Sequence, residues 1–253
     1  MIIPETAFSW IVLAWIGFGL TLLPVQLFIS APYGRHNRKG WGWQIPNRLG
    51  WIIMELPALL IIPIFFLFRF EDTGLTNRLF LLLWSIHYIH RALIYPFRIR
   101  TSGKKIPLSV AAMAFFFNLI NASLNGYYLT FLNPSYPQTW ISDPRFIIGT
   151  ALFIAGMLMN LISDQVLIGL RKNGQGYSIP RGWLFTYISC PNFLGELIEW
   201  TGFAILTWSL PSLSFLAWTT INLLPRALMH HRWYMKTFPD YPPVRKAIIP
   251  FLL

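Results

Sequence analysis

Cysteine is nearly absent. The 253-residue chain has one, Cys190, which rules out an intrachain disulfide and speaks against thiol-ligated metal chemistry. A lone thiol at a helix start reads first as inert packing. Acidic residues are scarce as well, 9 Asp and Glu against 20 Lys and Arg, for a net charge of +11. Charged residues of all kinds make up only 11% of the chain. A soluble domain carries about 25%, so an ordinary soluble fold is excluded. The common site signatures are missing: there is no G-x-x-x-x-G-K-[ST], no H-E-x-x-H and no G-x-S-x-G. KNGQGYSIPRG contains GxG but not GxGxxG, and no strand pattern precedes it, so a Rossmann dinucleotide fold is not supported. No basic n-region precedes the first apolar run, which is therefore expected to be a retained helix and not a cleavable signal. Internal repeats and low-complexity segments are lacking too.

What the chain does have is apolar length. It is 55% hydrophobic and 17% aromatic, and seven runs reach the roughly 20 residues that a bilayer requires. They lie near 6–30, 50–70, 77–97, 107–131, 145–169, 192–209 and 212–235, with Pro211 marking a tight reversal between the last two. The expected fold is an all-α integral membrane protein, one polytopic domain over 1–253 with seven transmembrane helices. The loops after runs one, three and five, together with the tail, carry 15 Lys and Arg, whereas the opposite side carries 3. By the positive-inside tendency the N-terminus is outside and the C-terminus cytoplasmic, a parity that itself needs an odd number of spans. Basic residues placed between apolar runs point to topology, anionic headgroups or a phosphate-bearing ligand, and away from nucleic acid.

Polar residues inside these runs are costly and mark candidate sites. They fall in rows at one-face helical spacing. Asn160, Asp164 and Arg171 form one row; Asn192, Glu196 and Glu199 form a second. Tyr88, Arg91 and Tyr95 form a third, and Arg226, His230 and Tyr234 a fourth. Glu55 stands alone just before Pro57. Each row has a plainer explanation: an interhelical hydrogen bond for Asn160 and Asp164, interfacial anchoring for His230 and Tyr234, a structural acid at a proline kink for Glu55. His87 and His90 share a face but lack a third ligand, so no metal site is assigned. Taken together, arginines and tyrosines aligned with Asp, Asn and Glu suit the phosphate, ribose and amide groups of a nucleotide cofactor. Glu55 and Tyr88 suggest sharper chemistry. A protonated carboxyl and a phenol can both donate to a ketone oxygen and stabilise the enolate-like charge formed when hydride adds to a conjugated double bond. Ketosteroid isomerase uses such a pair, a Tyr with a protonated Asp.

The segments APYGRH (31–36), MELP (54–57), HYIHR (87–91), NGYYL (125–129), GMLMNLISD (156–164), LRKNGQGYSIPRGWLFTYIS (170–189), NFLGELIEW (192–200) and HHRWYMKTFPDYPPVRKAIIPF (230–251) resemble the steroid 5α-reductase family over nearly the whole chain. The resemblance implies an NADPH-dependent membrane enzyme that saturates the Δ4 bond of 3-oxo-Δ4-steroids. Hydride goes to C5 and a proton to C4, and the 3-ketone is held by Glu55 and Tyr88. The implied cofactor residues are Tyr33, Arg35, Arg91, Tyr95, Asn160, Asp164, Arg171, Tyr187, Asn192, Glu196, Arg226, His230, Tyr234 and Arg245. Spans one to four (1–135) would serve the substrate, and spans five to seven with the tail (136–253) the cofactor. The partners implied are a steroid or other lipid enone and the bilayer, with the protein a monomer. Met54 replaces a Gln and Met113 an Arg of family members, which leaves the steroid open. Compact loops suit a bacterial member, placed in the inner membrane; a eukaryotic one would sit in the endoplasmic reticulum. The alternatives are a reductase of another lipid enone or enoyl substrate, a membrane methyltransferase using S-adenosylmethionine, and a non-catalytic sterol-binding protein.

Overall fold

The computed structural model describes residues 2–29, 32, 34–36, 38, 40–101, 103–170 and 177–253. Its helices are α1 (Glu5–Phe28), α2 (Asn47–Phe68), α3 (Leu75–Ile89), α4 (Tyr95–Arg98), α5 (Leu108–Tyr127), α6 (Pro144–Leu170), α7 (Pro191–Thr207) and α8 (Leu210–Thr237). Every apolar run of the sequence is helical. The third run is α3 continued through a π-turn, His90–Ile94, into the single turn of α4. A second π-turn, Tyr128–Leu132, extends α5. Among the described residues, four stretches are long and apolar enough to cross a membrane: Glu5–Phe28, Asn47–Phe68, Leu108–Leu132 and Pro144–Leu170. The other three long helices fall short for visible reasons. α3 has 15 residues before its π-turn and α7 has 17, while α8, at 28 residues, carries Arg226, His230, His231, Arg232 and Lys236 near its end.

Proline sets several helix starts, because its fixed φ suits the first turn and its missing N–H is not needed there. Pro46 and Pro107 precede α2 and α5, Pro191 opens α7, and Pro211 sits in the first turn of α8. The reversal expected at Pro211 is made one step earlier. Trp208 adopts the left-handed conformation (φ 45°) and Ser209 caps α8, its hydroxyl oxygen accepting from Ser212 N at 3.4 Å. Pro211 stabilises the start of the helix and does not make the turn. The loops also contain a short ribbon that the sequence pattern does not announce. β1 (Gln44–Pro46) pairs antiparallel with β2 (Lys105–Pro107), with Ile45 opposite Ile106. It ties the loop after α1 to the loop after α4 at the same end of the bundle.

The core is aromatic. Trp84, Trp200, Phe80, Phe203, Phe215 and Phe153 pack with Tyr88, Ala58, Ile62 and Phe66 in one buried cluster. Trp84 lies 5.2 Å from both Trp200 and Phe215, and its indole N–H donates to the Ala58 carbonyl at 2.8 Å, which satisfies its one polar atom. α6 and α7 approach more closely than side chains would allow. Gly149 and Gly156 on α6 face Gly202 and Gly195 on α7, and a Cβ built on any of the four falls 2.3–2.7 Å from the opposing backbone. Small residues that let backbones meet are a common basis of helix pairing in lipid, where apolar burial between helices gives no net drive.

Candidate active site

A cleft opens at the end of the bundle where α2, α5 and α7 begin and α1, α4, α6 and α8 finish. It is lined by residues from all parts of the chain, including Arg35, Asn47, Trp51, Arg91, Tyr95, Asn160, Asp164, Asn192, Glu196, His230 and Tyr234. About 1040 Å³ is empty when the space open to solvent is counted. Nine of the cofactor residues expected from sequence are therefore gathered around one space. Tyr33 and Arg171 lie outside the described residues. Three others do not line the cleft. Tyr187 is exposed and packs on Phe251 at 5.5 Å. Arg245 is buried in the tail, donating to the Pro180 carbonyl at 3.2 Å with its guanidinium 4.9 Å from the Tyr241 ring. Arg226 is one turn below His230 on α8.

The wall of the cleft is a connected polar chain. Asn160 donates from Nδ2 to the Asn192 carbonyl at 3.0 Å, and Asn192 donates to Asp164 Oδ1 at 3.3 Å. Arg91 Nη1 approaches Asp164 Oδ2 at 3.4 Å, with both side chains largely buried. The guanidinium of Arg91 also lies 4.7 Å from the Tyr95 ring and 5.0 Å from Trp51. The interhelical-bond reading of Asn160 and the ligand-site reading thus describe one wall: the groups that join α6 to α7 also face the cleft.

On the opposite wall, Arg35 emerges from the turn Gly34–His36 into an aromatic cage. Its Cζ is 4.6 Å from the rings of Trp233 and Tyr234 and 4.9 Å from Tyr177. Its Nη1 is buried without a hydrogen-bond partner among the described residues. His36 stacks on His230, rings 5.1 Å apart and 18° from parallel, with Nε2 and Nδ1 separated by 3.1 Å. Burial first, then Arg35 and Arg38, lower the His36 pKa. At the floor, Ser189 Oγ is 2.7 Å from His231 Nδ1 and 2.6 Å from the Tyr241 hydroxyl. The tail is tied on beside it by Ser189 N donating to the Lys246 carbonyl at 2.8 Å. Burial pushes the neighbouring Cys190 thiol up to about 12. It packs on Ala227, Ala247 and Ile248, as an inert cysteine would.

Glu55 and Tyr88 lie deeper, beyond the cleft wall. They come from different helices, α2 and α3, and are close enough to interact electrostatically with each other and with Arg91 and Glu196. Tyr88 is 3% exposed, set among Trp84, His87 and Trp200. The Glu55 carboxylate is 3.4 Å from Asn118 Nδ2, which also donates to the Met54 carbonyl at 2.7 Å. Sequence reasoning misses Asn118, although Asn118, Asn121 and Asn125 make a polar row of the same kind as the four above. Met54 is buried against Ile106, Val110 and Ala111, whereas Met113 is 56% exposed on the outer face of α5. Glu199, third in the α7 row, does not reach the cleft and pairs with His87 instead. Among the described residues, no three His, Cys, Asp or Glu side chains are grouped as a metal ion would require.

Known proteins share this chain's sequence over most of its length. A family model described as 3-oxo-5-alpha-steroid 4-dehydrogenase matches residues 104–253. The steroid 5-alpha-reductase DET2 of Arabidopsis thaliana is 40% identical over 255 residues, covering 98% of this chain and 97% of its own. The 3-oxo-5-alpha-steroid 4-dehydrogenase 1 of Bos taurus is 41% identical over 240 residues, 93% of each chain. The chain belongs to the 3-oxo-5-alpha-steroid 4-dehydrogenase family. It is an oxidoreductase with a helical membrane fold. The similarity is not confined to the C-terminal region: the human 3-oxo-5-alpha-steroid 4-dehydrogenase 1 is 42% identical over 228 residues, 88% of this chain and 86% of its own. Matches of that extent leave no room for the methyltransferase alternative or for a purely structural protein.

Proposed function

We propose that the enzyme reduces the Δ4 double bond of 3-oxo-Δ4-steroids with NADPH, hydride going to C5 and a proton from solvent to C4, while Glu55 and Tyr88 polarise the 3-ketone. What supports this reading is the family the chain belongs to, with Glu55 on α2 and Tyr88 on α3 near enough to interact electrostatically and a cleft lined by arginines and amides beside them. The cleft suits the cofactor. The unpartnered, buried Nη1 of Arg35 offers a charge-assisted bond to a phosphate, and its aromatic cage holds the guanidinium plane in place. Asn160, Asp164, Asn192, Glu196, Arg91, Tyr95, His230 and Tyr234 would hold the rest; the family resemblance adds Tyr33 and Arg171, outside the described residues, and Tyr187, Arg226 and Arg245, which do not line the cleft. NADPH supplies the hydride when bound. Glu55 and Tyr88 each hold a hydrogen toward the carbonyl oxygen, so negative charge gathering there meets two donors already in place. Asn118 keeps the Glu55 carboxyl from turning away.

All seven long helices cross the bilayer in this reading, with the N-terminus outside, and the cleft opens on the basic, cytoplasmic side. Residues 1–135 serve the substrate and 136–253 the cofactor, in a monomer whose substrate enters from the lipid. The compact loops suit a bacterial inner-membrane protein. A second reading, reduction of another lipid enone or enoyl substrate, follows from Met54, which precedes Glu55 where family members carry Gln and is buried against Ile106, Val110 and Ala111.

The test is NADPH oxidation by detergent-purified protein with testosterone or progesterone, the product identified by mass spectrometry. A dihydro-steroid formed by the wild type and formed far more slowly, at a small residual rate, by Glu55→Gln and Tyr88→Phe is expected. NADPH binding with no steroid turnover would shift the reading to the second substrate class. Absence of NADPH binding in folded protein would refute the cofactor assignment.

A further inference from the structure

Glu199 is 0% exposed, and one of its oxygens is accounted for. Oε1 lies 2.7 Å from His87 Nδ1, while Oε2 has no partner among the described residues. His87 in turn sits edge-on to Tyr88, ring centroids 4.9 Å apart at 72°, and to Trp200 at 4.7 Å and 66°. Trp84 closes another side of the Tyr88 ring at 4.8 Å. A carboxylate and an imidazole in the middle of a membrane bundle are expensive. Apolar side chains of similar volume fill such a space at no loss of stability and often with a gain.

We propose that Glu199 and His87 are positioning residues for Tyr88. Glu199 fixes the imidazole through Nδ1, and the imidazole edge, with Trp84, fixes the phenol ring so that its hydroxyl stays aimed at the substrate carbonyl beside Glu55. A buried carboxylate that orients an imidazole, which in turn acts on the group at the reacting atom, is the logic of catalytic triads, applied here to placement and not to proton abstraction. The inference rests on the enone-reductase reading above.

The experiment is a double-mutant cycle on the full-length purified protein with progesterone, NADPH and NADPH deuterated at the transferred position. Glu199→Gln is expected to lower kcat about tenfold or more, the scale of a small misplacement of a catalytic group. NADPH affinity should stay within about twofold, and the deuterium isotope effect on kcat should rise as hydride transfer becomes slower. In a Tyr88→Phe background, Glu199→Gln should cost less than about twofold, because the hydroxyl it positions is gone. Equal losses in both backgrounds would overturn the proposal and leave a structural hydrogen bond. If Glu199→Gln does not fold, the same cycle is read with His87→Asn, whose amide keeps an N–H to meet Glu199. A wild type that binds NADPH but turns over no steroid would sink the enone reading, and this inference with it. Steroid turnover with an additive cycle would sink the inference alone.

Discussion

Substituting Gly156 by Ala should open the α6–α7 pair and weaken both stability and catalysis. The added Cβ would lie 2.3 Å from Glu199 N, 2.5 Å from the Gly195 carbonyl oxygen and 2.7 Å from Glu199 Cα. All three are backbone atoms, so no rotamer change relieves the clash. Restoring ordinary contact requires the helices to part by about 1 Å, and overpacking of this kind costs about 1–3 kcal/mol. The upper end applies because neither helix can yield locally. For a chain of this size that corresponds to a fall in Tm of about 6–10 °C. The same separation would lengthen the Asn160 bond to the Asn192 carbonyl, now 3.0 Å, and the Asn192 bond to Asp164, now 3.3 Å, beyond hydrogen-bonding range. NADPH affinity should therefore fall with stability. Gly169→Ala is the control: it is on the same helix, and nothing lies within 4 Å of its added Cβ. It should leave Tm unchanged or slightly raised, since Ala is the better helix former. Thermal unfolding in one detergent with one lipid supplement would measure both. If Gly156→Ala matched Gly169→Ala, the close-packed glycine interface would be refuted.

Two further outcomes follow from the opposite wall of the cleft. Arg35→Ala should raise the Kd for NADPH about tenfold or more, the loss expected for one charge-assisted bond. Arg35→Lys should recover only part of it, because lysine keeps the charge and loses the planar stacking on Trp233 and Tyr234; titration by intrinsic fluorescence reads both, and an unchanged Kd in Arg35→Ala would remove Arg35 from the cofactor site. His36 predicts a pH effect. Its folded pKa is lowered from the ordinary 6.5, so its contribution to stability is complete above that value and is lost as the pH falls below it. The wild type should lose more Tm between pH 7 and pH 5 than His36→Gln; equal losses would show that protonation of His36 is not coupled to folding.

The seven long helices were legible because each is a long apolar run, and such runs are visible in one sequence; four of them, counting the π-turn after α5, are long and apolar enough to cross a bilayer. The exceptions arise where that rule gives no information. The ribbon of Gln44–Pro46 with Lys105–Pro107 joins two loops far apart in the chain, and three residues are too few for a period of two to stand out. The glycine pairs are spaced by seven on each of two helices, but the partner of Gly156 is known only once α6 and α7 are seen to be antiparallel neighbours. In the site, one-face spacing found Asn160, Asp164, Asn192, Glu196, His230 and Tyr234, because residues that share a ligand must share a helix face. It could not give depth. Spacing also marks Asn118 with Asn121 and Asn125, but not that it reaches Glu55 across from α5.

Depth is what separates the two halves of the chemistry. A row at i, i+4 and i+7 covers about 10 Å along a helix, so Asn192, Glu196 and Glu199 cannot all meet the same ligand group. Asn192 stands at the mouth with Asp164, Glu196 lines the cleft and interacts with Arg91, and Glu199 reaches the aromatic core at His87. α3 descends opposite in the same order, from Tyr95 and Arg91 in the cleft to Tyr88 and His87 below it. The two rows are the sides of one shaft. Its upper part is polar and open, suited to phosphates and ribose; its lower part is closed by Trp84, Trp200 and Phe215, where water is excluded and a donated hydrogen bond to a ketone has most effect. On the function proposed above, a flat apolar enone would reach that lower part from the side, through lipid. The shaft would then let hydride come from a water-soluble cofactor above and the acceptor from the membrane beside it, and the acids that looked too costly for a membrane bundle would stand where those two paths meet.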